Sequence, residues 1–208
     1  DAFDVNGDLS FLWEENFSSR KTITVASSQV DANLTNFPVL YSVTDTDLID
    51  NVMSGSNYTI KFTNATGTDL PYEVEYYNNT TGQLIAWVKA DSLSSTTDTA
   101  IHLYYGSSDT ASTENATGVW DSNYAGVWHL QDDFLDSSSN GNNGTNYGST
   151  DTSGKIGDGQ NFSSDFITID PVSNDVASSN ITVSAWINTT SHGNPTWGAT
   201  TGFNTSSG

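Results

Sequence analysis

Short runs in which apolar and polar residues alternate recur about every ten residues along this chain, and Asn, Asp, Gly and Ser bound most of them. Period-two alternation puts the apolar side chains on one face of a β-strand, whereas an amphipathic helix repeats its apolar positions every three to four residues. Because the helical period is hard to find here, the pattern predicts an all-β protein. The predicted strands of the first half span residues 21–25, 38–44, 58–63, 72–77, 84–89 and 99–105.

The run at residues 72–77 shows the alternation most clearly. Tyr72, Val74 and Tyr76 alternate there with Glu73 and Glu75. Since successive side chains of a strand point to opposite faces, the apolar set is predicted to face a core and the two glutamates to face solvent.

The spacing of the strands predicts the organisation of the chain. Six strands in about 105 residues are typical of an antiparallel β-sandwich of immunoglobulin size. A small, polar stretch follows and reads as a linker. A second β region then begins, with strands predicted at residues 126–130, 144–147, 160–163, 166–170 and 181–188. The predicted parts are an N-terminal extension at 1–18, a β-sandwich domain at 19–106, a linker at 107–118 and a second β domain at 119–208.

Two sets of sequence strings resemble known families, and they occur in the same order as the two predicted β domains. The strings FLWEENFSSRKTITV (residues 11–25), NFPVL (36–40), LPYEVEYY (70–77), LIAWVK (84–89) and YYG (104–106) resemble an uncharacterised β domain of archaeal and bacterial surface proteins. The strings GVWHL (126–130), DSSSNGNNGT (136–145), GKIGDGQNF (154–162) and ITVSAWI (181–187) resemble the N-terminal part of a laminin-G or concanavalin-like lectin domain. The second resemblance implies a partial jelly-roll sandwich after the first sandwich.

The lectin-like part is short for such a fold. Closed concanavalin-like sandwiches need more chain than the roughly 90 residues that follow the linker. A truncated sandwich leaves an unpaired edge and an exposed apolar face, so we expect another chain to supply a strand. This reasoning predicts head-to-tail association of copies by strand addition. The candidate donor strand carries apolar residues at odd positions, namely Phe3, Val5, Leu9, Phe11 and Trp13; an ordinary first strand of the same chain is the alternative.

The charge balance restricts the partners. Acidic residues outnumber basic ones 25 to 5, which gives a net charge of −20. Such a charge repels phosphate backbones and anionic lipids, so nucleic acid is excluded as a partner. No apolar run reaches the roughly 20 residues that a membrane span requires, and membrane insertion is not expected.

Asn-x-Ser/Thr sequons are unusually frequent. Composition predicts about six by chance, and twelve occur. Dense sequons predict a glycosylated protein at the cell surface or outside the cell, and together with the absence of Cys they favour an archaeal source. The acceptor asparagines are Asn16, Asn33, Asn57, Asn64, Asn78, Asn79, Asn115, Asn143, Asn161, Asn180, Asn188 and Asn204.

A loop rich in short oxygen-bearing side chains is a candidate calcium site. Its predicted ligands are Asp132, Asp133, Asp136, Asn140 and Asn142. Calcium prefers such hard oxygen ligands on a flexible loop, and lectin domains of the resembled kind often hold structural calcium near such a loop. The same residues also favour a simple turn. Trp197, in the string NPTWG, is a candidate platform for stacking a sugar.

Catalytic patterns are weak. Glu73 and Glu75 would lie about 6.6 Å apart along a strand, a spacing that glycosidase carboxylates can have, but no third acid is in register. His102, His129 and His192 form no pair with catalytic or metal-binding spacing, and no nucleophile motif is found. We therefore expect no enzyme. The favoured hypothesis is an extracellular structural glycoprotein that self-assembles into a surface filament or cell-surface layer, and the alternative is a calcium-assisted, carbohydrate-binding adhesin module.

Overall fold

The strands follow from the alternation that the sequence shows. The computed structural model describes residues 16–54, 56–109, 111–131, 133–169 and 182–188. In chain order its strands are β1 (Phe17–Val25), β2 (Leu34–Thr44), β3 (Met53–Ser54), β4 (Asn57–Tyr58), β5 (Lys61–Asn64), β6 (Asp69–Leu70), β7 (Tyr72–Asn78), β8 (Gln83–Leu93), β9 (Thr99–Ser107), β10 (Gly144–Tyr147), β11 (Thr150–Ser153), β12 (Asp158–Asn161) and β13 (Phe166–Ile169). Helical turns lie at Ser27–Gln29, Thr46–Leu48 and α1 (Ala116–Val119).

Two antiparallel sheets form a sandwich. The first sheet has the strand order β1-β9-β5-β6, and the second has the order β2-β8-β7. Their inner faces share one core, in which Phe62 of the first sheet packs against Tyr72 of the second with ring centroids 5.3 Å apart. The Tyr72 hydroxyl donates to the Ile60 carbonyl at 2.9 Å and so satisfies its polar end. The predicted all-β class, with an antiparallel sandwich, is confirmed.

The residues after α1 form two-stranded sheets. Strands β10 and β13 pair as one antiparallel ribbon, and β11 and β12 pair as another. The structure divides the chain into two compact units, Asp1–Asp175 and Val176–Gly208. In the second unit, residues 182–188 have no regular secondary structure and are exposed. A complete or partial jelly roll stays a prediction for this part of the chain.

Two predicted strands differ from the structure. Residues 126–130 are not a strand, because their backbone is held by a neighbouring loop: Asp136 Oδ1 accepts from Val127 N, and Val127 O accepts from Ser137 N. Leu130 also has a positive φ of 59°, which ends an extended run. The described part of the predicted strand at 181–188 is likewise not a strand. Among the described residues, no helix is both long and apolar enough to cross a membrane.

Candidate functional site

The outer face of the second sheet carries a buried group of polar side chains. Strands β7 and β8 pair so that Glu73 lies opposite Trp87, on the face that points away from the sandwich core. The chain after α1 covers this face and brings Trp120, His129 and Ser137 to it. We call Glu73, Glu75, His129 and the two tryptophans the acid–histidine cluster.

His129 lies between two carboxylates. Its Nε2 is 3.0 Å from Glu73 Oε2, and its Nδ1 is 3.2 Å from Glu75 Oε2. The side chains of His129, Glu73 and Glu75 are only 17%, 10% and 4% exposed. Nε2 is buried and has no partner in aligned hydrogen-bond geometry, so its contact with Glu73 is an ion pair.

The carboxylates of Glu73 and Glu75 also accept hydrogen bonds from neutral donors. The Trp87 indole donates to Glu75 Oε2 at 2.6 Å, and the Trp120 indole donates to Glu73 Oε2 at 2.7 Å. Ser137 Oγ donates to Glu73 Oε1. The rings also pack together, since the Trp87 and Trp120 centroids are 5.3 Å apart and that of His129 is 6.4 Å from Trp87. Each carboxylate therefore has both a cation and an N–H donor.

The protonation states follow from these contacts. Burial by itself lowers the pKa of His129, but the close carboxylates of Glu73 and Glu75 outweigh it and raise that pKa to about 9. Burial also raises the pKa of Glu73, but His129, Ser137 and Trp120 together hold it below its ordinary value. At neutral pH the cluster therefore contains a charged imidazolium beside an ionised Glu73.

The contacts of His129 differ from those of the histidine in a hydrolytic triad. In a hydrolytic triad the histidine must contact the nucleophile with one nitrogen and the acid with the other. Here both nitrogens of His129 face carboxylates, and the Ser137 hydroxyl contacts Glu73 instead. Removing one partner of such a buried ion pair leaves a charge unpaired, at a cost of about 3–5 kcal/mol. The cluster therefore holds the chain segment around His129 against the outer face of β7 and β8.

The predicted solvent exposure of Glu73 and Glu75 is wrong. The alternation along β7 correctly separates them from the core side of the strand, but Glu73 is buried by the segment that follows α1. Sequence reasoning also missed His129 as their partner, because 56 and 54 positions separate it from them in the chain. The available signal was weak: two acids on an aromatic-rich strand and one histidine within the apolar string GVWHL.

The stretch after β9 lies along the edge of β7. Val74 N donates to Glu114 Oε1 at 2.7 Å, and Asn115 N donates to the Tyr72 carbonyl at 2.9 Å. The side chain of Asn115 then caps α1 by accepting from Gly118 N at 2.9 Å. Residues predicted as a linker thus satisfy backbone groups at this edge, and the predicted domain boundaries themselves stay a prediction.

The candidate calcium loop is closed by hydrogen bonds. Asp136 Oδ1 accepts from Val127 N and Ser138 N, and its Oδ2 accepts from Asn142 N and Ser138 Oγ, all at 2.9 Å. The side-chain amides of Asn140 and Asn142 donate to the Ala125 carbonyl, at 3.3 and 2.8 Å.

The groups in this loop fit a hydrogen-bonded turn better than a calcium ion bound through Asp136. Asp133 Oδ1 accepts from Leu135 N at 3.0 Å. Within the described ranges no three acidic or histidine side chains gather into a metal site. Asp132 lies outside the described residues, and calcium binding stays a prediction.

The predicted glycan acceptors are spread over the surface. Ten of the twelve lie among the described residues, and eight of these ten are exposed. The two exceptions, Asn64 and Asn78, are half-buried in or beside strands. The exposed acceptors are Asn16, Asn33, Asn57, Asn79, Asn115, Asn143, Asn161 and Asn188.

Other predicted site residues lie outside the described residues. These are the acceptors Asn180 and Asn204, the sugar platform Trp197 and the donor-strand residues Phe3, Val5, Leu9, Phe11 and Trp13. Their roles stay predictions.

Comparison with known proteins gives one match. No curated protein and no solved structure matches the chain significantly. The lectin-like resemblance and the archaeal source stay predictions. Residues 56–146 match the family described as a domain of unknown function, DUF2341. This range is less than half of the 208 residues, crosses the predicted linker and contains every member of the acid–histidine cluster.

Proposed function

We propose that this chain is a structural β-sandwich subunit of an extracellular, N-glycosylated surface assembly, either a filament or a cell-surface layer. The observation that carries the proposal is the exposure of eight of the ten described sequon asparagines. A glycosyltransferase needs an accessible acceptor, and glycans on a sandwich surface are bulky and solubilising. The net charge of −20 adds mutual repulsion that keeps such surfaces hydrated.

The acid–histidine cluster is suited to a structural module at a surface. It joins strand β7 to a segment far along the chain through two ion pairs that are largely shielded from solvent. Salt screens such buried pairs much less than exposed ones. Because salt weakens them little, the ion pairs of His129 with Glu73 and Glu75 support a structural role in surroundings of variable ionic strength.

The open edges of the sandwich support assembly by strand addition. Strand β2 has eleven residues and pairs only with β8 among the described strands. An edge strand of this length presents unpaired N–H and C=O groups that a strand from another copy can use. Pro38 lies in β2, as expected of an edge strand, and Phe37 beside it is 44% exposed. We propose residues 3–13 of a neighbouring copy as the added strand.

Glycopeptide mass spectrometry of the secreted protein tests the glycoprotein proposal. We expect glycans at most of the exposed sequons and lower occupancy at the half-buried Asn64 and Asn78. A secreted protein without any glycan would contradict the proposal.

Electron microscopy and sedimentation test the assembly. Leu9→Asp places a charge among the apolar donor positions and should leave the protein as single particles, while Asp8→Asn at the neighbouring even position should still assemble. Phe37→Lys should weaken assembly from the acceptor side. If Leu9→Asp assembles as well as Asp8→Asn, strand donation by this segment is excluded. The lectin alternative depends on Trp197 and calcium and has no observation of its own among the described residues.

A further inference from the structure

The ribbon of β10 and β13 has an exposed face with two cross-strand pairs. Tyr147 lies opposite Phe166, and Thr145 lies opposite Thr168. All four side chains are exposed, whereas the intervening residues of both strands are half-buried. The half-buried residues therefore share one face of this ribbon, and the exposed residues share the other face.

The exposed face of the ribbon carries a stacked aromatic pair. The rings of Tyr147 and Phe166 are stacked, with centroids 4.8 Å apart and an angle of 17° between their planes. Tyr147 is 52% exposed and Phe166 is 53% exposed. Exposed apolar side chains that stack together, unlike ones scattered singly, make this face a candidate interaction surface.

A glycan acceptor lies in register with the aromatic pair. Asn143, Thr145 and Tyr147 are exposed in alternation along the same stretch, and Asn143-Gly144-Thr145 is a sequon. Four residues of extended chain span about 13 Å, a distance that a short chain of sugars can cover. Asn143 Oδ1 accepts from Asp136 N at 2.9 Å, so the amide is held while its nitrogen, the atom of glycan attachment, is not used in that bond.

We propose that the N-linked glycan of Asn143 folds back along β10 and packs on the Tyr147–Phe166 pair. This inference rests on the proposed function, since it requires a glycosylated protein. One face of a hexose ring is made of C–H groups, which carry partial positive charge and pack well on the negative face of an aromatic ring. The hydroxyls of Thr145 and Thr168 lie on the same face as donors and acceptors for sugar hydroxyls.

A second copy of the chain is a less suitable occupant of this patch. Asn161 starts another exposed sequon five residues before Phe166, and Phe162 beside it is 49% exposed. Asn143 and Asn161 each lie within five residues of the aromatic pair in sequence, and a bulky glycan on either would hinder the close approach of a protein partner.

The experiment measures whether the glycan and the aromatic pair depend on each other. In the secreted, glycosylated chain, Thr145→Val abolishes the sequon and keeps a β-branched side chain, whereas Thr145→Ser retains the sequon. Each is combined with Phe166→Ser. We expect the melting temperature of Thr145→Val to fall about 2 °C below that of Thr145→Ser in the native background, and the two to be equal in the Phe166→Ser background. Binding of a hydrophobic fluorescent dye should rise in Thr145→Val.

A second sequon provides the control. Asn79→Gln removes one exposed acceptor in the turn between β7 and β8 and leaves the sequon of Asn78 intact. Its effect on the melting temperature should be the same with and without Phe166→Ser.

The outcomes separate this inference from the proposed function. If the Thr145→Val effect is unchanged by Phe166→Ser, or if Asn143 is unmodified while other sequons carry glycans, the inference is overturned and the glycoprotein proposal stands. A chain with no glycan at any sequon overturns both. A dimer that Phe166→Ser dissociates would assign the patch to a second copy and overturn the inference.

Discussion

Replacement of His129 by glutamine tests the acid–histidine cluster most directly. The substitution removes the cation that lies 3.0 Å from Glu73 and 3.2 Å from Glu75 and leaves two buried carboxylates facing a neutral amide. The raised pKa of His129, from 6.5 to about 9, corresponds to a stabilisation on the order of 3 kcal/mol in the folded state. Loss of one partner from a buried ion pair costs about 3–5 kcal/mol, so the two arguments agree.

Urea unfolding at pH 6, followed by tryptophan fluorescence, measures this cost. Trp87 and Trp120 are part of the cluster and report its opening. We expect His129→Gln to lower the free energy of unfolding by about 3 kcal/mol, equivalent to about 6–12 °C in melting temperature.

His102→Gln is the matched control. The Nδ1 atom of His102 lies 3.1 Å from Thr22 Oγ1, in a hydrogen bond near the surface of the first sheet. Its replacement should cost no more than about 1 kcal/mol. If the two histidine variants are equally stable within about 0.5 kcal/mol, the ion pairs of the cluster do not hold the segment and the reasoning is refuted.

Three further results are expected. Unfolding measured as a function of pH should show the greatest stability advantage of the native protein over His129→Gln between pH 4.5 and 6.5, where Glu73 is ionised and His129 is charged in both the folded and the unfolded state. This advantage should fade as pH rises through about 9, where the folded protein loses the His129 proton, and also as pH falls below 4.5, where Glu73 takes up a proton. Asp136→Asn should cost about 1–3 kcal/mol by leaving loop N–H groups without an acceptor. Calorimetry should show the same loss with calcium and with a chelator, and a loss seen only with calcium would assign a metal instead. Gly67→Ala should cost about 1 kcal/mol, because φ is +86° in open space. Gly82→Ala, at φ +70°, should cost clearly more in the same melts, because its Cβ would lie 2.0 Å from the Asp45 carbonyl oxygen; equal costs would contradict that close approach.

Several features of the fold could be predicted from the sequence because they are local. Alternation over a few residues is enough to place strands such as β7, β8 and β9, since a one-residue slip would expose every apolar side chain of the strand. The sequons and the net charge are likewise properties of the chain itself. Strand β11 escaped prediction because its residues, Thr150–Ser153, are polar and all exposed.

The acid–histidine cluster was decided by the tertiary structure. Alternation along β7 assigns Glu73 and Glu75 to the face opposite the core but carries no information on what covers that face. The covering segment comes from residues about 50 positions further on, as the Trp120–Glu73 hydrogen bond shows with a separation of 47 residues. Only when that segment packs there are the two acids desolvated and His129 paired, because burial and pKa depend on neighbours in space rather than in sequence.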